Sequence, residues 1–287
     1  MGKIPPKARW FWVAALLFLG FFYLSSTKVS AIDLSAVIPG GDRSGSNISS
    51  TPLVNPEPSY HLVIASLRDQ NVTWLSQIPT KWAIKRYILD DPLPQKELPI
   101  DPERSPREEI FPVPRQQGRE AMAYLSYIID NYDDLPGYAL FVHGHVTSWH
   151  QVMPIYMLVR ALNLTALDNE QYISLQCSDI YGCENAPAID TWHPQFSRAG
   201  KICAFWELIR PGHPCPRYLS SKCCAQFAVT REAIRTLTLN DWIQIREPLL
   251  HDYTIYPGIS DLALDEWDIG WIYEKTWHIF FGMPDQQ

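Results

Sequence analysis

The chain has 287 residues, a net charge of −7, 46% hydrophobic residues and 13% aromatic residues. This length and hydrophobic content are enough for one medium-sized domain with a sizeable core, and they exclude a largely disordered chain. The net charge is negative, and the Lys and Arg residues form no basic stripe. Both observations argue against nucleic acid as a partner.

The N-terminus is typical of a targeting segment. Residues 1–9 carry three basic residues and no acid, and residues 10–24 (WFWVAALLFLGFFYL) are apolar throughout. At 1.5 Å per residue this run spans ~22 Å, which is short of a ~30 Å hydrocarbon core but suits a short signal anchor. Small residues at Val29 and Ala31 also permit cleavage of a signal peptide after Ala31.

We therefore predict a cytosolic tail over residues 1–9 and a signal anchor or signal peptide over residues 10–26. Either interpretation sends the remaining chain into the secretory pathway. The anchor would make the chain a single-pass type II membrane protein of the endoplasmic reticulum, Golgi or cell surface, held in the membrane by residues 10–24. Cleavage would release a secreted protein.

Two further features favour that compartment. Glycosylation sequons begin at Asn47, Asn71 and Asn163. All six cysteines lie in one region: Cys177, Cys183, Cys203, Cys215, Cys223 and Cys224. An even, clustered set in a secretory chain predicts disulfides, and a zinc site ranks below them because no C-x-x-C pair occurs. The pairing stays open, although adjacent Cys223 and Cys224 are expected to pair with different partners.

A flexible stem and one folded domain follow the targeting segment. Residues 27–59 are rich in Ser, Pro and Gly and lack hydrophobic periodicity, which predicts the stem. Residues 60–287 are predicted to form a single luminal or extracellular domain. Cysteine-containing residues 166–224 form no regular pattern and are expected to be a disulfide-bonded, loop-rich insertion.

Within the domain, strand and helix patterns alternate. Short apolar runs predict buried strands over 61–67, 82–91 and 138–145, helical periodicity predicts helices over 118–135 and 148–162, and a Pro-rich loop is expected from Pro92 to Pro114. A later strand is expected to lead into a helix capped by Thr230, and an apolar stripe predicts a C-terminal helix. The alternation predicts an α/β domain with a largely parallel central sheet and flanking helices.

Ligands of such sheets bind at the carboxyl ends of the strands, and three histidines follow the third strand. If residues 143–145 are extended, His143 and His145 point to the same face, and His150 supplies a third position for a metal. Imidazoles suit a divalent transition metal such as Zn, Cu or Fe rather than Mg or Mn. Phosphate contact, general base catalysis and an ordinary core or capping role are the alternatives.

Several charged residues are further candidates. Asp90 and Asp91 end the second strand and are predicted either to hold ribose hydroxyls of a bound nucleotide or to form a turn. Arg119, at the start of a helix, is predicted to bind phosphate or to be solvated. Asp265 is chosen as a catalytic base among several late acids that no spacing rule distinguishes. Gln226 is placed either beside the pocket or in the core.

With these motifs in view, the chain resembles the fungal domain of unknown function 3431 family. The resemblance rests on GREAMAYLSYIIDNYDDLP, LFVHGHVTSWH, CCAQFAVTREAIR and EKTWHIFFG, and it covers about residues 60–284. The resemblance implies that the chain shares the fold of this family, and it says less about an activity. One departure is the family's usual Asn before Gly-Arg-Glu, where this chain has Gln116 and Gln117.

The order of elements also resembles, more loosely, the nucleotide-sugar half of GT-A glycosyltransferases, a Rossmann-like fold. That resemblance implies a nucleotide-sugar donor and places His143-Gly144-His145 where those enzymes carry a metal-binding Asp-x-Asp. The favoured hypothesis is a secretory-pathway glycosyltransferase with His143, His145 and Asp265 at its catalytic centre. The alternatives are a secreted His-ligated metalloenzyme that tailors a fungal metabolite, and a non-catalytic surface module that binds sugars.

Overall fold

The structure, a computed structural model, describes residues 59–90, 107–148, 151–175, 189–192, 198–219, 225–252, 255–256 and 259–283. Its strands are β1 (Tyr60–Ser66), β2 (Trp82–Ile88), β3 (Glu108–Pro112), β4 (Tyr138–His143), β5 (Tyr172–Ser174), β6 (Ile189–Asp190), β7 (Tyr218–Leu219) and β8 (Phe227–Thr230). Its helices are α1 (Glu120–Asp130), α2 (Ile155–Ala161), α3 (Leu164–Glu170), α4 (Arg198–Ile209), α5 (Arg231–Ile234), α6 (Leu239–Leu250) and α7 (Glu266–Phe280).

Six of the strands form a central sheet in the order β3-β2-β1-β4-β8-β5, and β6 pairs separately with β7. The first four strands are parallel neighbours, whereas β8 runs antiparallel to both β4 and β5. The prediction of an α/β domain with a largely parallel sheet is confirmed. The predicted strands over 61–67, 82–91 and 138–145 are present as β1, β2 and β4.

Both faces of the sheet are covered, because alternate residues of the central strand enter two separate cores. Val63 faces a large core built with α1, α4, α6 and α7. Leu62 and Ile64 face a smaller core built with α2, α3 and the 3-10 helix Thr73–Gln77. All three side chains are fully buried. A continuous apolar run is what a parallel strand needs when helices cover it on both sides.

Three predicted boundaries were wrong. The loop expected from Pro92 to Pro114 contains β3, which pairs with β2 as an edge strand and ends at Pro112, a position where a missing N–H is tolerated. The helix expected from residue 148 begins only at Ile155, because Pro154 has extended backbone geometry and precedes it. The helix expected over 118–135 ends at Asp130, and a 3-10 helix, Tyr132–Asp134, follows.

Thr230 caps α5 as predicted, since its hydroxyl oxygen accepts a hydrogen bond from the Ala233 N–H at 3.2 Å. The cysteine-rich region contains a disulfide between Cys203 and Cys215, which ties α4 to the segment before β7. The four remaining cysteines lie outside the described residues, as do the predicted tail, anchor and most of the stem. Within the described ranges, no helix has the length and apolarity needed to cross a membrane.

Candidate functional site

The site lies where the direction of chain connections in the sheet reverses. From β1 the chain continues to β2 and β3 on one side, whereas β4 is followed in the sheet by β8 and β5 on the other. Such a switch point leaves a crevice at the carboxyl ends of the two central strands. A cavity of about 940 Å³ occupies this position, bounded by the ends of β1 and β4, the segment before α1, and α7. Small-molecule sites commonly have volumes of ~300–1,000 Å³.

One side of the cavity, the strand wall, is formed by residues 65–67, Gln70 and residues 143–145. Its two segments approach so closely that only glycine fits at position 144. A Cβ atom there would lie 2.5 Å from the Ser66 Cβ and would also overlap the side chain of Gln70. The Gly144 N–H donates to the Ala65 carbonyl at 2.8 Å, and the Trp74 indole donates to the Gly144 carbonyl at 2.9 Å. The strand wall is therefore fixed by close packing and by hydrogen bonds to its backbone.

Arg86 supports the strand wall from beneath. Its guanidinium is buried and donates to the Ser66 hydroxyl at 2.7 Å and to the Leu67 carbonyl at 3.1 Å. Glu108 on β3 accepts from the same guanidinium at 3.3 Å and compensates its charge. A buried charge that makes several hydrogen bonds holds the turn after β1 in one position.

The strand wall brings two of the three predicted histidines together. The rings of His143 and His145 both line the cavity, with centroids 5.0 Å apart and planes at 63°. The His143 N–H donates to the side-chain oxygen of Gln226 at 3.3 Å, so Gln226, which is itself buried, positions the end of β4. His150 lies outside the described residues. Within the described ranges, no group of three or more His, Cys, Asp or Glu side chains is arranged to hold a metal ion.

The opposite side, the helix wall, is formed by the start of α1 and one face of α7. Three carboxylates and two large aromatic rings line it: Glu120, Glu266, Glu274, Trp267 and Trp271. Trp267, Trp271 and Glu274 recur four and three positions apart on α7 and so share one helical face. Trp267 is 55% exposed, whereas Trp271 and Glu274 are half-buried. The helix wall thus combines stacking surface with acceptors of hydrogen bonds.

Two contacts join α1 to α7. The guanidinium of Arg119 lies 4.0 Å from the centre of the Trp267 ring, and the carboxylate of Glu266 accepts from the Gly118 N–H at 2.7 Å. Gly118 and Arg119 both have positive φ angles, 72° and 53°. Gly270 leaves room for the arginine, because a Cβ atom there would lie 2.8 Å from the Arg119 Cδ. An arginine in this backbone conformation is held by its surroundings.

Two carboxylates of the helix wall, Glu120 and Glu266, have raised pKa values. Burial, with a further contribution from the nearby charge of Glu274, raises the pKa of Glu120 to about 7, against the opposing effect of Arg119. Burial also raises the pKa of Glu266, although the Gly118 N–H and two arginines stabilise its charged form. A carboxyl group that titrates near neutral pH in a cleft is suited to general acid–base catalysis.

The comparisons with known proteins identify a family. Residues 62–287 match a family model described as a protein of unknown function, DUF3431. The chain belongs to the DUF3431 family. The resemblance that the sequence motifs indicated is therefore confirmed. No curated protein and no solved structure matches the chain.

The structure places the remaining predicted residues of this DUF3431 domain in different surroundings. Asp90 is exposed and accepts a hydrogen bond from the Arg68 N–H at 2.8 Å, next to Leu89, which lines the cavity. Asp265 is the N-cap of α7, and its carboxylate accepts from the Asp268 N–H at 2.7 Å. Asp91 lies outside the described residues. The nucleotide and base roles of these acids stay predictions.

Sequence reasoning missed most of the helix wall of the DUF3431 domain. Glu120, Trp267, Trp271 and Glu274 are not among the site residues predicted from the sequence. The i, i+4 spacing of the two tryptophans on an acidic helix was the available signal. Gln117, near the departure from the family's usual Asn, lines the cavity and is 6% exposed. Its Nε2 has no hydrogen-bond partner within the described part of the chain.

Proposed function

We propose that this protein is a secretory-pathway glycosyltransferase-like enzyme that binds a nucleotide-sugar donor in the cleft between β1 and β4. The observation that carries the proposal is the position of the cleft. It opens at the carboxyl ends of parallel strands where the strand order reverses, which is where open α/β sheets bind nucleotides. The order of strand and helix patterns along the sequence also resembles, more loosely, that of the nucleotide-sugar half of GT-A enzymes.

In this proposal the donor lies along the strand wall. His143 and His145 contact the diphosphate, and Arg119 contributes a positive charge from the start of α1. Arg115 lies at the same end of the cleft, where its guanidinium also donates to the Leu250 carbonyl at 3.0 Å. Imidazoles and guanidinium groups donate hydrogen bonds to phosphate oxygens directly.

The helix wall supplies the general base in this proposal. Glu120 lines the cleft, and burial raises its pKa to about 7, so its ionised and protonated forms are both populated near neutral pH. Asp265, the base expected from the sequence, is a helix cap outside the cleft lining. Glu120 is therefore the better placed carboxylate. Transfer to an acceptor requires a base for the acceptor hydroxyl proton.

Binding of the donor is the direct test. The full chain is incubated with nucleotide sugars carrying uridine or guanosine, and release of nucleoside diphosphate is measured together with the shift in melting temperature. We expect a rise in melting temperature with at least one nucleotide, because a ligand that binds only the folded state stabilises it. The His143→Ala/His145→Ala variant should lose this shift. No shift with any nucleotide would refute the proposal.

One observation favours a second candidate, a His-ligated metalloenzyme. His143 and His145 lie side by side at the cavity, and His150 is five residues further along the chain. Elemental analysis of untagged protein decides between the two. One bound transition metal in the parent chain and none in the double histidine variant would support this candidate, whereas a metal-free chain that releases nucleoside diphosphate would exclude it.

The proposed compartment rests on separate features. The Cys203–Cys215 disulfide requires an oxidising environment, and Asn71 and Asn163 are exposed on the folded domain. Expression in a eukaryotic secretory host should therefore yield a chain whose mobility increases after glycosidase treatment. Replacing Asn71 and Asn163 by Gln should remove the part of the mobility increase that comes from glycans on the folded domain. A chain with no glycan and a free Cys203 would contradict the proposal.

A further inference from the structure

The helix wall has the composition of a subsite for an uncharged sugar, distinct from the surface that the donor occupies. Trp267 and Trp271 lie one helical turn apart on α7, and Glu274 follows on the same face. Glu120 faces the same cavity from α1. Aromatic rings pack against the apolar C–H faces of sugar rings, while carboxylates accept hydrogen bonds from sugar hydroxyls.

The charged residues that line the cavity also bear on whether its ligand is charged or uncharged. Three glutamates line the cavity, against two arginines, and no lysine lines it within the described residues. Arg119 is stacked on Trp267, and Glu266 accepts from the Gly118 N–H beside it. The charge of Glu274 raises the pKa of Glu120, but Glu274 is itself paired with Lys275 at 2.9 Å. When Glu120 is ionised, a carboxylated or sulfated acceptor would add a like charge beside it, which costs free energy in a partly desolvated site.

We infer that the helix wall binds the acceptor, that the acceptor is an uncharged saccharide stacked on Trp267 and Trp271, and that Glu120 takes the proton from its reacting hydroxyl. This inference rests on the proposed function and adds the class of acceptor to it. The nucleotide sugar lies against the strand wall and the acceptor lies against the helix wall.

The reaction then balances without a further reactant. The acceptor hydroxyl oxygen forms a bond to the anomeric carbon of the donor sugar. The bond between that carbon and the diphosphate oxygen breaks, and the nucleoside diphosphate leaves with the electron pair. The hydroxyl proton passes to the Glu120 carboxylate, which later releases it to water. Burial is the main cause of the raised pKa of Glu120, and its own backbone N–H, Glu274 on α7 and Arg119 modify that pKa. Glu274 is in turn paired with Lys275 at 2.9 Å.

The chain offers a matched control for the stacking residue. Trp192 is 67% exposed and stacks on the guanidinium of Arg217 at 4.6 Å, as Trp267 does on Arg119, but it does not line the cavity. Substituting either tryptophan by alanine removes an exposed ring paired with an arginine. Only the Trp267 substitution should affect a ligand in the cleft.

The test is saturation-transfer NMR on the full chain in a sugar-free detergent. The probes are manno-, gluco- and galacto-oligosaccharides, with oligogalacturonides as the acidic comparison, each with and without uridine or guanosine diphosphate. We expect at least one neutral oligosaccharide to bind and the oligogalacturonides to bind more weakly. Trp267→Ala should weaken neutral binding by about 10-fold, equivalent to ~1.4 kcal/mol. Trp267→Phe should restore part of the affinity, and Trp192→Ala should not change it.

The outcomes separate this inference from the proposed function. Binding of nucleotide and release of nucleoside diphosphate, without binding of any neutral saccharide, would overturn the acceptor subsite and leave the donor proposal standing. Neutral saccharide binding that depends on Trp267, without any nucleotide binding, would support the subsite and refute the transferase. Equal affinity of the Trp267→Ala and Trp192→Ala variants, or tighter binding of the acidic probes, would also overturn the inference.

Discussion

The strand wall and the helix wall face each other across one cleft but are built in different ways. The strand wall is held by hydrogen bonds to its backbone, some of them from the buried side chains of Trp74 and Arg86, and by a glycine, Gly144, at which no side chain fits. The helix wall is held by side-chain contacts between segments almost 150 residues apart, such as Gly118 with Glu266. The strand wall is thus fixed by close packing near the strand ends, whereas the helix wall carries two carboxylates, Glu120 and Glu266, with raised pKa values.

The largest effect that would test this comparison is on catalysis. Glu120→Gln should lower transfer by roughly 100- to 10,000-fold, the range typical for loss of a general base. In the parent chain kcat/KM should rise with pH through about 7, because the carboxylate must be ionised to accept a proton. The variant should lack this rise. Transfer rates measured across pH check both points, and an unchanged pH profile in the variant would assign the base elsewhere.

The same carboxyl group should affect stability. Its pKa is raised in the folded state, so its contribution to stability is fully present below the ordinary value of 4.5 and is lost as pH rises through about 7. Relative to Glu120→Gln, the parent chain should therefore become less stable between pH 4.5 and pH 8. Melting temperatures of both chains over this range provide the measurement, and a constant difference would contradict the buried position of the carboxylate.

A substitution in the strand wall should change the stability of the domain rather than the pH dependence of transfer. Gly144→Ala is expected to cost about 1–3 kcal/mol, because the added methyl group overlaps Ser66 and Gln70 in a tightly packed turn. Gly212→Ala is the control: Gly212 has open space around it but a φ of 73°, so it tests backbone strain alone. Urea unfolding compares the two variants. Full stability of Gly144→Ala would show that the turn is not close-packed.

A smaller effect distinguishes a capping role of Asp265 from a catalytic one. Asp265→Ala should destabilise α7 by about 1 kcal/mol, whereas Asp265→Asn should keep the cap, since Asn is an equally good N-cap residue. Transfer activity should survive in Asp265→Asn because Glu120 supplies the base. Thermal melts and turnover of both variants give the answer, and an inactive but stable Asp265→Asn would restore Asp265 as the base.

The smallest effect is expected at Asp90. Asp90→Ala removes an exposed hydrogen bond to the Arg68 N–H and should cost at most about 1 kcal/mol, while Asp90→Asn keeps the accepting oxygen. The geometry favours this turn role, so nucleotide affinity should be similar in both variants and the parent chain. Calorimetric titration with nucleoside diphosphate checks this, and a clear loss of affinity in Asp90→Asn would instead place Asp90 at the ribose.

Local patterns predicted the strand wall well. A buried run followed by His143-Gly144-His145 is contiguous in sequence, so a strand end with two neighbouring histidines follows from the alternation of side chains along a strand. The parallel sheet followed from the alternation of strand and helix patterns. The start of α2 was less predictable. The periodic run begins before Pro154, and periodicity alone does not show that the helix starts only after this proline.

The helix wall was decided by tertiary structure. The sequence shows that residues 266–280 form an amphipathic helix rich in tryptophan and acid, but it does not show which carboxylate enters a cleft. That depends on the packing of α7 against α1, which places Glu120 beside Glu274 and leaves Asp265 as a cap. A pKa near 7 arises from desolvation and a neighbouring charge, and both are created only when distant segments meet.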